Sequence, residues 1–153
     1  MHFNDGYLLQ EHWNNALIEL VNTLGPKNVF VSIYESGSWD HTKDVLRVLD
    51  WELGQRGVRR KVEISDETHE GERAKEDRGE GWVVTPRDQT EPRRIPFLAR
   101  LRNKTLKDLV ELHEQGIEFD KIVFLNDVVF TVCFSFDHMF LSMIDLHQAN
   151  ANL

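Results

Sequence analysis

The feature that most constrains this chain is the alternation of short, almost continuously apolar runs with longer stretches of helical period. Asn28 to Tyr34 (NVFVSIY) is β-branched and aromatic, and apolar on both faces, which suits a strand buried in a parallel sheet. Before it, Leu9, Trp13, Ala16, Leu17, Leu20 and Leu24 recur at helical spacing, and Gly25-Pro26 supplies a stop. After it, Gly37-Ser38 breaks the strand, and Thr42, Val45, Leu46, Leu49 and Leu53 form a second helical stripe that ends near Gly54 and Gly57. Arg60 to Ile64 reads as a second strand, Ile95 to Gln115 as a helix closed by Gly116, and Lys121 to Leu125 (KIVFL) as a third strand. Strands joined through helices need right-handed crossovers, so the expected fold is α/β, a mainly parallel sheet with flanking helices. Ligands of such sheets bind beyond the carboxyl ends of the strands. Glu35 follows the first strand and Asp127 the third, so the sheet is expected to carry both acids to one edge.

The 153 residues fit one domain. Between the second strand and the last helix, Ser65 to Pro92 is polar and rich in charge and glycine, and reads as a long surface loop with a brief turn at Trp82-Val83-Val84. Charge is unevenly spread. The chain carries −8 overall, which argues against a nucleic-acid partner, yet Pro86 to Lys107 holds seven bases against two acids. A basic island in an acidic protein suits a local anionic ligand, or a solvated face. The single cysteine, Cys133, excludes an internal disulfide and a thiolate metal cluster. Met1 to Asp5 lacks the apolar core of a signal peptide, and no segment reads as a membrane span.

Three places can carry chemistry. On the Ile95–Gln115 helix, Leu98, Leu101, Thr105, Leu109 and Leu112 share one arc, and Arg100, Asn103, Lys104 and Lys107 fall on the opposite one. Arg102 projects close to the apolar stripe, where its guanidinium needs a carboxylate partner, a snorkelling path or a phosphate. Asp127 is either a strand-end cap or a carboxylate that binds a hard divalent ion. In Glu35-Ser36-Gly37-Ser38-Trp39-Asp40-His41-Thr42, the acids and hydroxyls serve as helix caps or hold a ribose or base edge. There is no G-x-S-x-G elbow, Walker A sequence or G-x-G-x-x-G, so hydrolase, NTPase and dinucleotide readings fail.

NVFVSIYESGSWDHTKDVLRVL, RRIPFLARLRNKTL and FDKIVFLNDVVF together resemble the capsule-associated α-1,3-mannosyltransferases of fungi, the cryptococcal mannosyltransferase family. The resemblance implies a partial GT-A-type, Rossmann-like glycosyltransferase domain over residues 3–131, with 132–153 a divergent tail. It implies a GDP-mannose donor, a mannose-containing glycan acceptor, Mn²⁺ or Mg²⁺, and the secretory-pathway lumen. Carried over by position, Glu35, Ser38, Asp40, Arg100, Arg102 and Asn103 are the expected nucleotide-sugar ligands. Asp127 is the expected metal ligand, with Asn126 beside it where many GT-A enzymes carry a second carboxylate. The opening strand and the acceptor half are expected to be lacking, so the alternative is a non-catalytic remnant that binds a nucleotide or a partner protein.

Overall fold

The computed structural model describes residues 2–66, 71, 82–84, 86, 90–125, 129–132 and 143–145. The first helical stripe becomes a continuous rod: α1 (Gly6–Leu8), a π-helical turn (Leu9–Trp13) and α2 (Asn14–Leu24). Among its buried residues, Leu9, Trp13, Leu17 and Val21 recur every four positions, with Ala16 and Leu20 beside them, and a four-residue repeat drifts by roughly 40° per step in an α-helix. The wider π turn at Leu9–Trp13 takes up part of that drift. By Leu24, which is 39% exposed, the stripe has left the core.

A short 3₁₀ turn (Pro26–Asn28) leads into β1 (Phe30–Ser36), then α3 (Thr42–Gln55) and β2 (Arg59–Ser65). The two strands pair in parallel, from Phe30↔Arg59 to Ser36↔Ser65. Gly57, at φ +71°, closes α3 with a paired cap: its N–H donates to the Gly54 carbonyl, and Val58 N–H donates to that of Leu53. Val31 and Ile33 point to one face of the sheet and join Leu9, Trp13, Leu17, Val21, Leu46, Leu49, Leu53 and Val58 in a single core.

The stretch expected to turn at Trp82–Val84 is instead β3 (Trp82–Val84), paired antiparallel with β4 (Thr90–Pro92). Two consecutive valines favour extended backbone over a turn. Next comes α4 (Arg94–Glu114), which covers the other face of β1. Lys104 Nζ donates to the Tyr34 hydroxyl at 2.8 Å and lies 4.6 Å from the ring centroid. Four residues on, buried Asp108 accepts from Ser32 Oγ (2.7 Å) and Lys61 Nζ (2.5 Å). Those four helical residues rise ~6 Å and Tyr34 to Ser32 spans ~6.6 Å, so α4 runs antiparallel to β1.

This docking corrects the helix face drawn from the leucines. Among the described residues of α4, Leu101 and Asp108 are buried, Lys104 is half-buried, and Arg102 is exposed. The inner face is rotated by roughly 50–70° from the leucine arc, because Ser32, Tyr34 and Lys61 offer polar partners instead of an apolar floor.

The third expected strand also differs. β5 (Lys121–Val123) pairs antiparallel with β6 (Met143–Asp145), in a sheet separate from β1 and β2. The edge of β1 opposite β2 is engaged at its tip by His2, whose N–H donates to the Tyr34 carbonyl while Ser36 N–H donates to the His2 carbonyl. His2 thus forms a parallel bridge with Glu35, and the rod from Gly6 to Leu24 is the crossover to β1. A strand order that grows from His2 through β1 to β2 leaves β5 no place beside β1. The chain after β5 still returns to the core through Leu125 and Phe130, whose ring meets Trp13 edge-on at 6.0 Å.

Candidate functional site at the carboxyl end of the sheet

Where β1 leaves the sheet, Gly37 adopts φ +64° and donates its N–H to the Ser65 carbonyl at 3.0 Å. That turn folds the following residues back over the strand tip. Glu35 is fully buried there; its Oε1 accepts Ser38 N–H, and its Oε2 has no hydrogen-bond partner among the described residues. A buried carboxylate oxygen without a partner is costly and marks a place meant for a donor. The nearby cation is Lys43, whose ammonium is hydrogen-bonded to Asp66 at 2.6 Å. That bond, against some burial and with added help from the Glu35 charge, holds Lys43 protonated above the usual lysine range.

The segment after His2 is stitched onto this loop. Asn4 N–H donates to Ser38 Oγ (2.9 Å), Asp5 N–H to Thr42 Oγ1 (2.9 Å) and Gly6 N–H to Asp40 Oδ2 (3.0 Å). In return Trp39 N–H donates to Asn4 Oδ1 at 3.1 Å. Asp40 Oδ1 also accepts Thr42 N–H at 2.9 Å, an Asx-type turn just ahead of α3. Burial raises the Asp40 carboxyl, but hydrogen bonds from the Thr42 side chain and from the Thr42 and Gly6 amides outweigh it and hold it below the usual range. Ser38 and Asp40 therefore cross-link the loop in this structure. The participation of Asn4, Asp5 and Gly6 was missed from the sequence, because contacts across more than thirty residues leave no periodic trace.

Among the other expected ligands, Arg100 lies one turn N-terminal to Lys104, roughly 6 Å further along the axis. That level corresponds to Ser36 and the strand tip. Arg100, Arg102 and Asn103 are all exposed, and Thr105 Oγ1 donates to the Arg102 carbonyl. The helix thus brings its cationic half to the carboxyl end of the sheet, with Arg102 in solvent and not beside the leucines. Asn126 and Asp127 lie outside the described residues. Because β5 belongs to a separate sheet, hydrogen bonding does not carry the end of β5 to the Glu35 edge. Among the described residues no group of three or more His, Cys, Asp or Glu could hold a metal ion. Among them, too, no helix is long and apolar enough to cross a membrane.

No curated protein matches the chain, and neither does any solved structure. A family model described as Cryptococcal mannosyltransferase 1 matches residues 1–141. With a parallel α/β unit, an acid-bearing strand tip and a cationic helix beside it, the chain belongs to the cryptococcal mannosyltransferase 1 family.

Proposed function

We propose that the chain supplies the donor site of a mannosyltransferase that takes GDP-mannose and passes mannose, in α-1,3 linkage, to a mannose-containing glycan in the secretory-pathway lumen. The observation that carries this reading is the buried Glu35, whose Oε2 lacks a partner inside a cross-linked loop at the tip of a parallel strand. Glu35 is fully buried, so a ribose hydroxyl or base N–H reaches its Oε2 only where part of the overlying loop gives way, and the missing hydrogen bond favours that exchange. Ser38 and Asp40 flank Glu35 with further oxygens, and Arg100, Arg102 and Asn103 supply donors for the diphosphate from α4.

Transfer breaks the bond between the anomeric carbon and the diphosphate and forms one from that carbon to the acceptor's hydroxyl oxygen, which releases its proton, so negative charge grows on the leaving group. Cationic side chains fixed beforehand around that charge lower the barrier without reorganising. Asp127, with Asn126, is the proposed seat of Mn²⁺ or Mg²⁺, which when bound supplies charge neutralisation to the diphosphate.

Calorimetric titration with GDP and Mn²⁺ tests donor binding, and release of GDP from GDP-mannose in the presence of a mannobiose acceptor tests transfer. Saturable GDP binding that depends on Glu35 and Arg100 supports the donor site. Absence of GDP binding contradicts it. Binding without GDP release would identify a non-catalytic nucleotide binder.

A further inference from the structure

Trp39 is left 78% exposed on a loop held by hydrogen bonds on both sides of it. On either side of it, Ser38 and Asp40 are tied to the amides of Asn4 and Gly6, and its own N–H is held by Asn4 Oδ1. Asn4 sits at φ +53°, a conformation uncommon outside glycine. Phe3, 40% exposed, meets the indole edge-to-face with centroids 5.1 Å apart and an interplanar angle of 87°. A single exposed aromatic on a surface needs no explanation. An indole held outward by a cross-linked loop at the carboxyl end of a parallel sheet is a preorganised aromatic surface.

The surrounding charges select what part of a ligand fits there. Asp40 lies in the loop beside Trp39, with buried Glu35 beneath it and Asp5, which is paired with His2, in the segment stitched to it, and these carboxylates disfavour a phosphate. The cations of α4 stand over the face that carries Ser32 and Tyr34, whereas the Trp39 loop leads into α3 on the opposite face. A neutral, planar group bearing N–H donors suits the acidic side, and an anionic group suits the α4 side.

We infer that Trp39, braced by Phe3, is the platform on which the nucleobase of the sugar nucleotide stacks, while the diphosphate turns toward α4. The inference rests on the donor-site reading and adds to it the residue that holds the base. Stacking on an indole tolerates any base, so Trp39 contributes affinity and not base choice.

The test compares GDP with inorganic pyrophosphate, by calorimetry and tryptophan fluorescence, on the full chain and its Trp39→Ala and Trp39→Phe variants. Loss of an exposed side chain leaves the urea midpoint unchanged. Trp39→Ala is expected to weaken GDP binding by roughly ten- to hundredfold, with pyrophosphate binding unaltered. Trp39→Phe retains most of the GDP affinity, and GDP quenches a fluorescence component that both variants lack. Equal GDP affinity in the wild type and Trp39→Ala overturns the platform and leaves the donor site standing. Equal weakening of GDP and pyrophosphate also overturns it. Failure of the wild type to bind GDP at all removes both readings.

Discussion

Asp108→Ala should loosen α4 from the sheet, and its cost can be worked from the contacts. Asp108 is 5% exposed and accepts two bonds, from Ser32 Oγ at 2.7 Å and Lys61 Nζ at 2.5 Å. Both bonds end on an ionised carboxylate, a class worth up to about 3 kcal/mol when dry, and the one from half-buried Ser32 is taken at the low end, ~1.5 kcal/mol. The Lys61 side chain is 46% exposed, so its ammonium returns to water when the carboxylate is lost. The larger penalty of a stranded buried charge therefore does not apply, and solvent reduces the ion-pair contribution to ~1 kcal/mol. Asp108→Ala is expected to cost about 2.5 kcal/mol, and Asp108→Asn, which keeps an acceptor for Ser32, about 1 kcal/mol. For a domain of this size that first loss lowers Tm by roughly 5–10 °C. Urea unfolding followed by far-UV circular dichroism measures it, and a double-mutant cycle with Lys61→Ala isolates the pair. Lys61 is held protonated above its usual range by its hydrogen bond to Asp108, against partial desolvation. Its contribution is therefore full below the ordinary lysine value and is lost as pH rises through the raised one. A coupling near zero at pH 7, or one that grows at high pH, would refute the reasoning.

Leu46 is fully buried in the core, so Leu46→Ala should cost ~2–5 kcal/mol in the same assay. The depressed Asp40 carboxyl stabilises the loop above its ordinary titration range, and that support fades as pH falls through the lowered value. Protection of the Gly6 and Thr42 amides, relative to their intrinsic exchange at each pH, should fall below about pH 4, and Asp40→Asn should remove this pH dependence. Lys104→Met keeps the stem but loses the bond to Tyr34 and the cation–π contact, so it should destabilise by ~1 kcal/mol.

The helices and the first two strands were legible because their signals are local. Leu46, Leu49 and Leu53 keep one face of a helix, and the β-branched run into Tyr34 cannot satisfy a helical period. The rotation of α4 was not legible from its leucines, since it depends on which polar groups the sheet presents to it. A trace of it did exist. Asp108 falls on the same arc as Leu101 and Leu112, and strict alternation puts Ser32 and Tyr34 on the opposite face of β1 from Val31 and Ile33. An acid on an apolar arc facing hydroxyls is a docking contact in waiting. The pairing of β5 was hidden for another reason: an apolar run states that it is a strand without naming its partner. At the candidate site, Glu35 and the loop after it could be found from the strand end. The stitches from Asn4, Asp5 and Gly6 could not, because only the closed fold brings those residues to the loop.

The account depends on one claim, that the carboxyl end of β1 and the adjoining half of α4 together receive a sugar-nucleotide diphosphate. Titration of ¹⁵N-labelled chain with GDP and Mg²⁺, read as amide shift changes, tests it most directly. The account predicts saturable shifts at Gly37, Ser38 and Trp39, accompanied by shifts from Arg100 to Asn103 with the same apparent Kd. Shifts confined to the outer face of α3 around Val48 and Trp51, or a response of the loop without the helix, would contradict it.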